Sequence, residues 1–297
     1  MSMAKNDRLR LLLISLHFCL CAAPGMAGNC LSFAADKIVS AGITMPYRVA
    51  YANNPRKQSI VIYLHGGSSK GNDNEAQMQE PGIDSIATYL DRKQMNVVFL
   101  VPQCPADKSW GGPMLSVLKA LIDRYVGTNA DDADVYIFGG SMGGTGTWSM
   151  LSAYPHLFAA AMPVAGNPSK CNPANVASTP VYTVMGTADR IMSVETTSRF
   201  IAELNALGAT TQFDVEEGWT HEVTCIQSYT SKRLDWVFSH RTDDSSVANP
   251  PVTEKIIQTI QYFTVDGKLL PERPCKGLYL ERITYTDASV LLTKRLK

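Results

Sequence analysis

VYIFGGSMGGTGTW, residues 135–148, is a run of apolar β-formers that meets a crowd of glycines and continues into a helix-compatible segment. Its first four residues predict a buried strand. Gly139-Gly140-Ser141-Met142-Gly143 predicts a sharp strand-to-helix turn of the G-x-S-x-G kind. A serine on such a turn holds strained backbone dihedrals, so the residues two places before and after it must lack bulk. Gly139 and Gly143 meet that need. The pentapeptide alone would fit many glycine turns; the strand before it and the helix after it make a nucleophile elbow the specific reading.

Outward from this turn, strands and helices alternate. Residues 43–50, 59–64 and 97–101 read as strands, and 83–90 and 113–125 as helices. After the elbow, 158–164, 181–185 and 212–215 read as strands, 194–207 as an amphipathic helix and 224–238 as one helix. That alternation implies an α/β fold with a mostly parallel sheet flanked by helices. The first strands, joined without a helix, imply an antiparallel edge. Residues 241–254, RTDDSSVANPPVTE, read as a polar linker. Beyond it, 255–265, 278–285 and 290–296 read as strands, with Asp266-Gly267 as a hairpin turn, giving a small all-β appendage over 255–297. Such a short segment has too small a core to be robust alone, so it should pack on something or serve as a recognition tag.

The chain has 297 residues, 45% hydrophobic and 18% charged, with Lys and Arg balancing Asp and Glu at net zero. Nothing in that balance points to nucleic acid, and a neutral substrate is as well suited as an anionic one. Lys5, Arg8 and Arg10, then the apolar residues 11–20 and the small Gly25-Met26-Ala27, read as a signal peptide over 1–27. An exported protein, secreted or at the cell surface with the periplasm as the alternative, is therefore expected. No later stretch is apolar enough for a stable membrane span. Five of the seven cysteines lie beyond the leader. An oxidising compartment permits disulfides, and Cys171–Cys225 is the bridge expected. None of these cysteines has metal-site spacing, and neither metal nor cofactor is expected.

A serine hydroxyl needs an oriented base to become a nucleophile, and in this architecture the acid and then the histidine follow the serine. Beyond the leader stand only His65, His156, His221 and His240. His65 precedes the serine, His156 lies in a Tyr-Pro-His turn, and His240 ends a helix, where a cation suits the dipole. His221, in Gly218-Trp219-Thr220-His221 after the last core strand, is the expected base. Asp189, first carboxylate after the strand at 181–185, is the expected acid, with Asp214, Glu216 and Glu217 as competitors. Two backbone N–H groups must face the oxyanion. Met142 supplies one, and Gly67 in His65-Gly66-Gly67-Ser68 the other, with Gly66 or Ser68 as alternatives. Trp110 and Trp219 could line a substrate pocket or equally serve as packing. Residues 139–146 lack the lysine of a phosphate-cradling loop.

With these motifs assembled, residues 45–238 resemble bacterial serine esterases of the α/β-hydrolase fold. The group spans carbohydrate esterase family 1 (feruloyl and acetyl esterases), polyhydroxybutyrate-depolymerase-like proteins and prolyl-oligopeptidase-like hydrolases. The resemblance rests on Leu64-His65-Gly66-Gly67 with Gly71-Asn72-Asp73-Asn74, on Pro102-Gln103-Cys104-Pro105 with Trp110, and on the elbow. Tyr154-Pro155 with Phe158-Ala159-Ala160-Ala161, Gly186 with Asp189, and Trp219 with His221 add to it. Two departures are Met185, where relatives often carry histidine, and Gly140, often larger in relatives. The resemblance implies hydrolysis of acyl esters, feruloyl or acetyl, on plant polysaccharides. The alternatives are a prolyl-oligopeptidase-like peptidase, a polyhydroxyalkanoate or lipid esterase, and a non-enzymatic carbohydrate-binding protein. Tyr262-Phe263-Thr264-Val265-Asp266-Gly267-Lys268, Lys276-Gly277-Leu278-Tyr279 and the basic end Lys294-Arg295-Leu296-Lys297 resemble C-terminal sorting domains of the Bacteroidetes type IX secretion route. That implies contact with secretion machinery.

Overall fold

The computed structural model describes residues 31–52, 59–129, 133–242, 257–272, 274, 276, 278–285 and 290–296. The leader, Cys30, Cys275 and most of the expected linker lie outside the described residues. In chain order the strands and helices before the elbow are β1 (Ala34–Ser40), β2 (Ile43–Ala52), β3 (Ser59–Leu64), α1 (Pro81–Arg92), β4 (Val97–Pro102) and α2 (Pro113–Asn129). The elbow joins β5 (Val135–Gly140) to α3 (Met142–Ala153), followed by β6 (Ala160–Val164), α4 (Pro173–Val176), β7 (Val181–Gly186) and α5 (Val194–Ala206). Then come β8 (Thr211–Glu216), α6 (His221–Gln227) and α7 (Ser231–Phe238). The tail adds β9 (Ile257–Phe263), β10 (Leu269–Leu270), β11 (Leu278–Tyr285) and β12 (Val290–Leu296).

Strands β1 to β8 form one sheet in the order β1-β2-β4-β3-β5-β6-β7-β8. The pairs β1–β2 and β2–β4 are antiparallel and the others parallel, so the expected antiparallel edge is present. β4 to β7 are buried throughout, as a sheet covered on both faces requires. Alternate side chains feed two cores. Ile60, Ile62, Leu64 and Ile137 meet α2, α3 and α5 on one face. Val61, Tyr63, Tyr136 and Phe138 meet α1 and α7 on the other. A separate antiparallel sheet, β10-β9-β11-β12, holds the tail strands. Its β9–β10 hairpin turns at Gly267, whose φ is +89.

Two expectations need correction, and one strand had none. The single helix at 224–238 is two helices, and the first begins earlier, at His221. Thr220 caps that start by accepting Val223 N–H. Between them, Ser228 turns its hydroxyl back to the Thr224 carbonyl, while Tyr229 turns inward against Tyr63 and Phe138. The expected Cys171–Cys225 disulfide is absent, and both are free thiols. Cys171 packs with the α2, α3 and α5 side of the sheet and Cys225 with the α1 and α7 side, so the sheet itself separates them. Burial raises both thiols, Cys171 to about 11 and Cys225 to about 12. Finally, β1 carried no expectation: it is an edge strand exposed at most positions, with little apolar alternation to reveal it.

Candidate active site

The elbow is strained as its sequence requires. Ser141, between β5 and α3, has φ 58 and ψ −118, a conformation that costs a non-glycine residue on the order of 1–3 kcal/mol. The surroundings hold it there. Ser141 N–H donates to the Val164 carbonyl at 3.0 Å, and its own carbonyl accepts Thr145 N–H at 3.0 Å. A Cβ on Gly143 would lie 1.8 Å from the Leu64 carbonyl oxygen, so the first turn of α3 presses directly on the end of β3. Gly140 is less constrained: a Cβ there would meet Cys225 Sγ at 3.4 Å.

The structure brings Ser141, His221 and Asp189 together. Ser141 Oγ lies 2.7 Å from His221 Nε2, and His221 Nδ1 lies 2.8 Å from Asp189 Oδ2. A carboxylate can only accept, so Nδ1 carries the proton and Nε2 is free to accept from the serine. Asp189 has no exposed side-chain surface. Its other oxygen accepts Ile191 N–H at 2.8 Å and Met192 N–H at 2.9 Å, which fixes the carboxylate plane. Two of the three competing acids are engaged elsewhere. Asp214 and Glu216 both bind the buried Arg233, and Asp214 also accepts from Tyr182. Gly186 lets the end of β7 meet the histidine segment closely, since a Cβ there would sit 2.2 Å from the Trp219 carbonyl oxygen.

Met142 and Gly67 each begin a helical turn, α3 and a 3-10 turn over Gly67–Ser69. The first N–H groups of such turns have no partner within the turn. Gly66 N–H is already committed, donating to Glu80 Oε1 at 3.0 Å. Gly67 is exposed, and a Cβ on it would meet nothing within 4 Å, so the space before it is open.

His65 and Trp110 support this turn from below. His65 Nε2 accepts Cys104 N–H at 2.9 Å, and its Nδ1–H donates to the Gly66 carbonyl at 2.6 Å. Burial lowers the His65 pKa to about 4, so the ring is neutral and this tautomer is fixed. Trp110 is buried, donates Nε1–H to the His65 carbonyl at 3.0 Å and stands edge-on to the His65 ring. It takes the packing role of the two left open for it. Trp219 is half-buried beneath the Arg233 guanidinium, 5.8 Å from its ring centre. The sequence offered no signal for Glu80 or Arg233, because neither forms a motif with the residues it binds.

Known proteins share this architecture. A model of the dienelactone hydrolase family matches residues 109–239. No curated protein matches the chain. Among solved structures, a thermostable esterase is 27% identical, with a TM-score of 0.64 over 70% of this chain. The chain spans 63% of that esterase's length. A feruloyl esterase module from Clostridium thermocellum, complexed with sinapinate, is 14% identical, with a TM-score of 0.58 over 71% of this chain and 89% of that one. An acylaminoacyl peptidase from Pyrococcus horikoshii is 12% identical, with a TM-score of 0.52 over 69% of this chain and 41% of that one. The chain has the α/β-hydrolase fold, a mostly parallel sheet flanked by helices with a small antiparallel sheet at its C-terminal end.

Proposed function

We propose that this chain is an exported serine hydrolase that cleaves carboxylic esters through an acyl-enzyme. The observation that carries the reading is the unbroken contact from Ser141 Oγ to His221 Nε2 and from His221 Nδ1 to Asp189, with Ser141 held at positive φ. Ser141 Oγ attacks the ester carbonyl carbon while His221 Nε2 takes its proton. Asp189 holds the imidazole in the productive tautomer and stabilises the imidazolium that forms. The tetrahedral oxyanion sits between the N–H groups of Met142 and Gly67. Collapse expels the alcohol, which receives the proton from His221. Water then repeats the cycle on the acyl-enzyme, releasing the acid and restoring Ser141. No cofactor takes part.

Acyl esters of plant polysaccharides, feruloyl or acetyl, are the proposed substrates. Support comes from the sequence resemblance and from the feruloyl esterase module among the structural neighbours. The leader at residues 1–27 and the sorting-like tail belong to the same proposal, as the means of reaching an extracellular polymer. A peptidase reading also has a structural neighbour behind it. Matched ester and amide substrates with one acyl group decide between them: faster ester cleavage supports the esterase, faster amide cleavage the peptidase. Ser141→Ala is expected to abolish hydrolysis of p-nitrophenyl acetate while the protein stays folded, and to block fluorophosphonate labelling. Retained activity in that variant would remove the proposal. Acetyl, feruloyl and hydroxybutyrate esters assayed side by side then rank the acyl groups.

A further inference from the structure

Glu80 stands immediately before α1 and is far from the nucleophile in sequence, yet its carboxylate faces the turn beside Ser141. Oε1 accepts Gly66 N–H at 3.0 Å and the Ser69 hydroxyl at 2.7 Å. Ser69 is buried, so this contact is not a chance surface pairing. A methyl group built on Gly66 would lie 3.3 Å from Glu80 Oε1 and 3.7 Å from Ser141 Cβ. The carboxylate and the nucleophile's side chain thus both border the space that the missing Gly66 side chain leaves open. None of the ion pairs among the described residues includes Glu80.

A carboxylate near a developing oxyanion opposes it electrostatically, and in a partly buried site that opposition is poorly screened. Its position calls for a compensating role, and the two hydrogen bonds supply one. They clasp both ends of the Gly66–Ser69 bend on the N–H and hydroxyl side, while His65 Nδ1–H, Ser69 N–H and Gln103 Nε2–H hold its carbonyls. They also take Gly66 N–H out of play, leaving Gly67 and Ser68 of the three alternatives, and Gly67, the first residue of the turn, is exposed with open space beside its Cα.

We propose that Glu80 is a positioning residue of the oxyanion hole, acting through the 66–69 bend and never touching the substrate. The inference rests on the esterase reading above and names what orients one of its two donors. The part played is that of an acceptor of fixed reach, so charge is dispensable and length is not. A glutamine oxygen can accept both hydrogen bonds; an aspartate is one methylene too short to hold both.

The test measures kcat and KM for p-nitrophenyl acetate in the wild type and in Glu80→Gln, Glu80→Asp, Glu80→Ala and Ser141→Ala. A trifluoromethyl ketone, whose adduct with serine carries a tetrahedral oxyanion, is titrated alongside. Glu80→Ala and Glu80→Asp should each lower kcat about tenfold to a hundredfold with KM changed less than about twofold, short of the loss from deleting a donor outright. Their inhibition constants for the ketone should rise in step with the loss in kcat. Glu80→Gln should recover kcat to within about threefold of wild type. If Glu80→Ala fails to fold, Glu80→Asp carries the same comparison. Near-wild-type kcat in the folded shortened variants, or a glutamine variant as impaired as alanine, would overturn the proposal. Activity surviving in Ser141→Ala would instead count against the nucleophile, so the two failures are distinguishable.

Discussion

Acidification forces a proton onto the His65 ring, for which the fold has no room. His65 Nε2 accepts Cys104 N–H, and its Nδ1–H donates to the Gly66 carbonyl. A proton on Nε2 would set two donors against each other in a buried space. Burial accordingly lowers the folded-state pKa from 6.5 to about 4. Above pH 6.5 the ring is neutral whether the chain is folded or not, and its contribution is at its full value. Between 6.5 and 4 the unfolded chain binds a proton that the folded chain refuses, so stability falls as pH falls through that window. At 1.36 kcal/mol per unit, the full shift corresponds to about 3 kcal/mol. The assay is urea unfolding across this window for the wild type and for His65→Gln, which keeps an acceptor for Cys104 N–H and cannot titrate. Carboxylates titrate in both proteins, so the difference between their stability curves isolates His65. The wild type should lose about 3 kcal/mol more than the variant by the acid end. Parallel curves would refute the reasoning.

Three further outcomes follow from the same contacts. Asp189→Asn should keep its bonds to Ile191 and Met192 yet hold His221 in the wrong tautomer, lowering kcat about 10⁴-fold with little change in unfolding midpoint; a loss under tenfold would count against the assignment. Gly143→Ala should cost about 3 kcal/mol or more in urea unfolding, because its Cβ would sit 1.8 Å from the Leu64 carbonyl oxygen, whereas Gly140→Ala, at 3.4 Å from Cys225 Sγ, should cost less than about 1 kcal/mol. Alkylation of the unfolded, unreduced chain followed by peptide mapping should find Cys171 and Cys225 each modified and not joined.

The elbow, the parallel core and the acid-then-base order were legible because each depends on local pattern. Apolar runs of β-formers mark buried strands, and a strained serine demands small neighbours. What stayed hidden depends on contacts distant in sequence. The break at Ser228 and Tyr229 looks helical by periodicity, and only Tyr63 and Phe138 across the core draw Tyr229 out of the helix. The Cys171–Cys225 pairing failed because nearness to strand ends says nothing of which face of the sheet a side chain occupies. The acid was ambiguous among four carboxylates because only the folded chain sets Asp189 against His221 Nδ1 and turns two of the others to Arg233 of α7. Glu80 had no motif at all, since its partners lie on a bend that precedes it.

The convergence of these residues is set by sheet register more than by loop conformation. Leu64 of β3 pairs with Gly139 of β5. Two residues beyond each partner stand Gly66 and Ser141, which is why the bend and the nucleophile meet. Gly140 pairs with Val164 of β6, and Ser141 N–H then closes on the Val164 carbonyl. Gly186 of β7 pairs with Glu216 of β8, so the segments carrying Asp189 and His221 leave the sheet side by side. A slip of one residue between β3 and β5 would move Gly66 by about 3.3 Å and turn Tyr63 and Leu64 to the wrong faces. The buried residues of β3 and β5 resist that slip across both cores. Catalytic geometry at Ser141 is thus a property of the hydrophobic core as much as of the polar groups that face the substrate.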